Sequence, residues 1–131
     1  MGPPHSPPTI LLVDDDPNIL TMLGKQLEHW GYQVLTASSG EEGLARAQAE
    51  APDLILLDIM MPKMRGREVC ASLKAAPATA KIPVIFLSAL GLPDHIRAGL
   101  ELGAEDYLVK PFRLQELQKR IQVCLLRCGR S

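Results

Sequence analysis

Hydrophobic and polar positions along the chain follow two alternating patterns: short solid runs of aliphatics, and longer stretches with apolar residues every three to four positions. Leu54-Ile55-Leu56-Leu57 stands between Pro52-Asp53 and Asp58 with no polar residue among its members. A half-exposed strand would alternate apolar with polar residues, so this run predicts a short strand buried on both faces, as in the middle of a parallel sheet. Thr9-Ile10-Leu11-Leu12-Val13 and Pro83-Val84-Ile85-Phe86-Leu87 read the same way. Asp106-Tyr107-Leu108-Val109 is a further strand, and Gln33 to Ala37, studded with polar residues, is a weaker one that belongs toward an edge.

The stretches between the strands carry helical signals. Asp16-Pro17 is a cap followed by proline at the first helical position, and Ile19, Leu20, Leu23, Leu27 and Trp30 then share one face up to Gly31. Ser39-Gly40-Glu41-Glu42 matches a capping box and opens an alanine-rich helix that ends before Pro52. A third helix runs from about Arg67 to Ala75, after a loop of Met, Pro and Gly through Gly66, and a fourth from Pro93 to Leu102, closed by Gly103. The last has Leu114, Leu117, Ile121 and Leu125 at inward spacing. Five strands alternating with five helices predict an α/β fold, a doubly wound five-stranded parallel sheet with helices on both faces. The flavodoxin-like order 2-1-3-4-5 fits best, because it places the most apolar strands inside and the polar-studded second strand outside.

Composition narrows the class. The 131 residues fit one domain, expected over residues 9–128, with Met1 to Pro8, which include four prolines, as a disordered Pro-rich tail. A formal net charge of −1, with both signs mixed along the chain, gives no electrostatic footprint for nucleic acid or an anionic membrane. No apolar run approaches the length of a membrane span, and the start lacks the regions of a signal peptide. Cys70, Cys124 and Cys128 are an odd number without framework spacing, as expected of reduced thiols in a cytoplasmic protein. Cys124 and Cys128 lie four apart on a helix, but the scattered His5, His29 and His95 supply no further metal ligands, so core or surface thiols are the better reading.

The residues that follow the strands carry the candidate chemistry: Asp14 and Asp15 after the first, Asp58 after the third, Ser88 after the fourth and Lys110 after the fifth. In a parallel sheet all five reach the same edge, at the crevice where such sheets bind ligands. Three carboxylates there repel one another and raise their pKa values unless a cation shares them. Mg²⁺ suits the inventory, since it takes one or two carboxylates, keeps several waters and bridges to phosphate oxygens. With that cation, the Lys110 ammonium and the Ser88 hydroxyl around Asp58, the site can stabilise a phosphoryl group while a carboxylate oxygen attacks it. Alone, Asp58 would be a turn residue, Ser88 a strand-end hydroxyl and Lys110 a solvated cation; their joint placement decides otherwise. Asp16 is better read as a helix cap than as a ligand.

From about Thr9 to Cys128 the chain resembles the receiver domain of two-component response regulators. The resemblance rests on Ile-Leu-Leu-Val-Asp-Asp-Asp-Pro at 10–17, Asp-Leu-Ile-Leu-Leu-Asp-Ile-Met-Met-Pro at 53–62, Pro-Val-Ile-Phe-Leu-Ser-Ala at 83–89 and Gly-Ala-Glu-Asp-Tyr-Leu-Val-Lys-Pro-Phe at 103–112. It implies that Asp58 accepts phosphate from a histidine kinase or histidine phosphotransfer protein. Asp15 would be the main Mg²⁺ ligand, Asp14 would act largely through water, and the Met60 backbone carbonyl would be a further ligand. Ser88 and Lys110 would bind phosphate oxygens, with a cis peptide bond between Lys110 and Pro111. Tyr107 would be the switch aromatic that turns inward when Ser88 is drawn to the phosphate, and otherwise reads as a packed β aromatic. Such a protein is a signalling element rather than an enzyme, passing its state to a downstream effector protein. The surface of the fourth helix, fifth strand and last helix, where Val123 and Leu126 fall off the inward stripe, is the expected partner or homodimer face. Met60 and Leu90, two places after Asp58 and Ser88, flank the approach of water in this family; neither can orient one, so slow loss of phosphate is expected.

One departure stands out: Lys63-Met64-Arg65-Gly66 carries Arg where the family commonly has Asp before the glycine. It puts a cation near the site and bears on which kinase or effector docks there. Competing readings fit less well. A metal-dependent phosphohydrolase with a nucleophilic Asp wants a second Asp two positions on, where this chain has Met60. A flavin module would seat phosphate after the first strand, where Asp14-Asp15-Asp16 repel it. A degenerate receiver would lack some of the acids, the hydroxyl or the lysine, all of which are present. No second composition regime follows Arg113, so the expectation is a stand-alone receiver or a fragment of a larger regulator or hybrid kinase.

Overall fold

The computed structural model describes residues 7–61 and 65–129. The expected tail, as far as Ser6, and the Lys63-Met64 part of the departing loop lie outside the described residues. In chain order the elements are β1 Thr9–Val13, α1 Pro17–His29, β2 Gln33–Ala37, α2 Gly40–Glu50, β3 Leu54–Asp58, α3 Gly66–Ala75, β4 Val84–Ser88, α4 Pro93–Glu101, β5 Asp106–Val109 and α5 Leu114–Arg127. The strands form one sheet in the order β2-β1-β3-β4-β5, with every neighbouring pair parallel.

The solid aliphatic runs have the double burial expected of them. Along β1, Leu11 and Val13 face one core while Ile10 and Leu12 face the other; in β3, Ile55 and Leu57 oppose Leu54 and Leu56; in β4, Val84 and Phe86 oppose Ile85 and Leu87. The first core is completed by Ala47 of α2 and by Val69, Cys70 and Leu73 of α3, the second by Leu23 and Leu27 of α1 and by Leu117, Ile121, Cys124 and Leu125 of α5. Each such side chain is worth about 1.5–3 kcal/mol on burial, so the central strands are held from both sides. The order β2-β1-β3-β4-β5 leaves β2, with its exposed Gln33 and Thr36, at the edge.

Two local expectations change. Leu114 is 46% exposed and Cys124 occupies the inward position instead. Leu114 is the first residue of α5, and the stripe that meets the sheet is Leu117, Ile121, Cys124 and Leu125. At α2 the Ser39 hydroxyl accepts from the Glu42 N–H at 3.1 Å, but the returning Glu42 carboxylate accepts from the Ser38 N–H at 2.6 Å rather than from Ser39, so the box closes one residue early. Among the described residues no helix is long and apolar enough to cross a membrane.

Candidate functional site

All strands being parallel, the residues after β1, β3, β4 and β5 gather at one edge. Asp14 leaves β1 with its N–H bonded to the Ala37 carbonyl of β2 at 3.1 Å, which keeps the chain paired up to the carboxylate. The Asp14 side chain is almost fully buried; its Oδ1 accepts from the Asp16 N–H at 2.9 Å and its Oδ2 stands 3.5 Å from Lys110 Nζ. Asp16 caps α1, accepting from the Asn18 N–H at 2.9 Å, and Asp15, between the two, is exposed. Asp58 closes β3, is 7% exposed and accepts from the Met60 N–H at 3.0 Å through Oδ1. Carboxylate oxygens of Asp14, Asp15 and Asp58 all lie within 4.8 Å of one another.

The turn after β3 is held by a close approach. A Cβ on Gly66 would collide with the Asp58 carbonyl and the Ile59 Cα, and the Gly66 N–H donates to the Ile59 carbonyl at 3.1 Å. Only glycine lets α3 begin this near the Asp58 backbone.

Ser88 is fully buried at the end of β4, and its hydroxyl accepts from the Leu90 N–H at 3.0 Å. The Lys110 N–H donates to the Ser88 carbonyl at 2.7 Å, and the Lys110-Pro111 peptide bond is cis. Tyr107 is buried on β5, its hydroxyl donating to the Leu90 carbonyl at 2.5 Å and its ring tilted against Phe86 with centroids 6.0 Å apart. A Cβ on Gly99 of α4 would come within 2.9 Å of that ring. The three acids and Lys110 are therefore brought together, Ser88 is anchored in the adjoining strand end, and Tyr107 occupies an inward position linked to the Ser88 turn through Leu90. The Met60 side chain is 56% exposed.

Burial is the largest influence on Asp58 and pushes its carboxyl above the ordinary value; Asp14 and Asp15 push the same way, while the Met60 N–H and Lys110 oppose them. Three hard oxygen donors at this spacing fit a magnesium-type cation, which would relieve that repulsion. The cysteines take no part: Cys70 and Cys124 are buried, and burial, with Cys128 beside it, pushes the Cys124 thiol up to about 12, far from a metal-binding thiolate. Beside Lys110 an apolar groove of about 580 Å³ runs between α1 and the start of α5, lined by Ile19, Met22, Leu23, Phe112 and the exposed Leu114. Sequence reasoning missed this groove, because it took Leu114 as inward.

Comparison with known proteins gives the following. Residues 10–122 match the model of the response regulator receiver domain family. The chain is 46% identical over 118 residues to the alkaline phosphatase synthesis transcriptional regulatory protein PhoP of Bacillus subtilis, which covers 90% of this chain and 48% of that protein. It spans about half the length of the curated relatives it matches. Among solved structures, the Vibrio cholerae chemotaxis protein CheY4 superposes with a TM-score of 0.86 at 34% identity, covering 92% of this chain and all of that one. The signal receiver domain of a histidine kinase from Syntrophus aciditrophicus gives a TM-score of 0.85 at 35% identity, covering 95% and 94% of the two chains.

Proposed function

This chain belongs to the response regulator receiver domain family of two-component signalling, and from that premise we propose that it is a phosphoacceptor whose acceptor is Asp58. The observation that carries the reading is the gathering of Asp14, Asp15 and Asp58 oxygens within 4.8 Å of one another, with Lys110 Nζ 3.5 Å from Asp14. A carboxylate oxygen of Asp58 forms the new bond to phosphorus, the P–N bond to a donor histidine breaks, and the imidazole nitrogen keeps the electron pair. Asp14 and Asp15, with Asp58 and the Met60 carbonyl, would hold Mg²⁺; when bound, the cation neutralises the carboxylates and offsets charge on the phosphoryl oxygens. The Lys110 ammonium and the Ser88 hydroxyl bind the remaining oxygens; Ser88 donates its O–H to them, and its shift toward the phosphoryl group exchanges its present position, where it accepts the Leu90 N–H, for one farther from that turn. That exchange loosens the Leu90 turn, which also holds the Tyr107 hydroxyl, so Ser88 and Tyr107 form one switch biased by one new charge.

The donor is a histidine kinase or phosphotransfer protein, and the output a change in contacts with an effector protein or a second copy. Val123 and Leu126 of α5 and Leu100 of α4 are exposed, which supports the α4, β5 and α5 surface as that face. The groove beside Lys110 lies next to the crevice and offers apolar area to a donor protein. We place the module at residues 9–128, acting in the cytoplasm and on proteins rather than on nucleic acid or membrane. Incubation with a small acyl phosphate and Mg²⁺ should give one acyl phosphate per chain in wild type and none in Asp58→Asn, whose amide is not a competent nucleophile. Full labelling of Asp58→Asn would move the acceptor elsewhere.

A further inference from the structure

The beginning of α3 breaks a rule that α1 and α2 obey. Asp16 and Ser39 cap α1 and α2 by accepting a backbone N–H, whereas α3 is preceded by Arg65 at the capping position, with Arg67 in its first turn. A guanidinium has only donors, so it cannot cap, and a cation in a first turn opposes the helix dipole at about 0.3–1 kcal/mol each. Glu68 in the same turn accepts the Arg65 N–H at 3.4 Å and offsets part of this, yet it forms no ion pair with either arginine. Positions that break a local rule are where a function is to be sought.

Arg65, Arg67 and His95 line a cavity of about 330 Å³ together with Ile59, Met60 and Leu90. Arg67 Nε and His95 Nδ1 are buried and have no hydrogen-bond partner among the described residues. None of the three side chains enters an ion pair among the described residues. A buried donor left unpartnered costs about 1–3 kcal/mol, so Arg67 Nε, a donor only, lacks an acceptor that the described residues do not supply. Guanidinium forks match carboxylate and phosphate oxygens in pairs. We propose that this cavity is a binding site for a small oxyanion, a carboxylate or phosphate group, distinct from the acidic crevice. Asp14, Asp15 and Asp58 would repel the same anion. The two sites nevertheless share walls, since the Met60 N–H bonds Asp58 and the Leu90 N–H bonds Ser88. The proposal goes beyond phosphoryl transfer and stands without it.

The test is titration of the full chain with inorganic phosphate in magnesium-free buffer, followed by calorimetry and by the backbone and arginine Nε resonances. One saturable site is expected, with shifts at Met60, Arg67, Leu90 and His95, and Arg67→Gln should weaken it by about tenfold or more. Arg46→Gln, which removes a cation ion-paired to Glu50 on α2, should leave it unchanged. The melting temperature of Arg67→Gln should equal or exceed that of wild type, separating lost binding from lost fold. A response that never saturates and spreads over all basic residues, or saturable binding that Arg67→Gln leaves intact, overturns the proposal. Competition by a capped tetraglutamate peptide, with tetraglutamine as control, then assigns the source. Displacement of phosphate identifies an acidic protein side chain; phosphate binding without displacement identifies a free anion, and both outcomes uphold the site.

Discussion

The acidic crevice and the basic cavity share the Met60 and Leu90 segments and are built on opposite principles. Asp14, Asp58, Ser88 and Lys110 of the crevice each directly follow a strand or close it, with Asp15 one residue farther on, so the register of a doubly buried sheet sets their position. Arg65, Arg67 and His95 instead stand at the starts of α3 and α4, where the surrounding loops set position. A sheet anchored on both faces can hold a carboxylate in a buried place beside like charges at a cost: burial first, then Asp14 and Asp15, push the Asp58 carboxyl above its ordinary value. A helix start has no such grip, because a repelled arginine can swing into water. The crevice is thus strained toward a cation, and the cavity is a set of donors short of an acceptor.

The sharpest way to break this contrast is Asp15→Ala. It removes an exposed carboxylate of the proposed ligand set without disturbing the pair of buried Asp14 and half-buried Lys110. Mg²⁺ affinity, read by titration, should fall by about ten- to a hundred-fold, the range that perturbing a metal's ligand environment produces. Arg67→Gln should change it far less, since Arg67 lines the neighbouring cavity and supplies no oxygen to the acidic cluster. An unchanged titration in Asp15→Ala would remove it from the ligand set; a large effect of Arg67→Gln would make the two sites one.

A smaller effect tests the strain itself. Because the folded-state pKa of Asp58 lies above its unfolded value, the folded chain binds the extra proton between the two. The associated stability is therefore fully present below the ordinary carboxylate pKa and is lost as pH rises through the folded one. At neutral pH without magnesium, wild type carries the cost and Asp58→Asn does not. The variant should be more stable by about 1 kcal/mol, a typical single-residue magnitude, with the gap closing as pH falls. Added Mg²⁺ should reverse the order by binding the native wild type. Denaturant melts over a pH series read this directly, and a gap independent of pH would show that Asp58 is not held against its charge.

The same contrast explains what could be read from the sequence. Solid runs such as Leu54 to Leu57 report double burial directly, and the acids after them inherit their place from the sheet, so fold, strand order and crevice were all legible. Leu114 was not, because apolar spacing fixes a stripe but not where the stripe leaves the sheet; Cys124, a small apolar residue often buried, held the inward place. The cavity was legible only as one odd residue, Arg65 before Gly66. Arg67 and His95 are far apart in sequence, and isolated basic residues read as solvated until a fold encloses them.

The smallest effect reaches both sites at once through the rate at which a phosphoryl group leaves Asp58. Met60 and Leu90 cannot orient an attacking water, so decay in wild type should be slow, and a side chain able to hold water should hasten it through positioning. Met60 is more than half exposed beside Asp58, so Met60→Asn places an amide in reach of solvent and should speed decay a few-fold. Leu90→Glu differs, because Leu90 lines the cavity with Arg65, Arg67 and His95. The new carboxylate is the oxyanion that those donors lack, so it should be drawn to them and leave decay almost unchanged. Adding Arg67→Gln should release it, and the double variant should then decay faster than either single one. This is a coupling that a double-mutant cycle isolates. Decay of labelled phosphate after removal of the donor, followed in wild type and the four variants Met60→Asn, Leu90→Glu, Arg67→Gln and the Leu90→Glu/Arg67→Gln pair, decides it. If Leu90→Glu and Arg67→Gln combine additively, Arg67 does not capture an oxyanion at that wall, and the cavity and the crevice act independently.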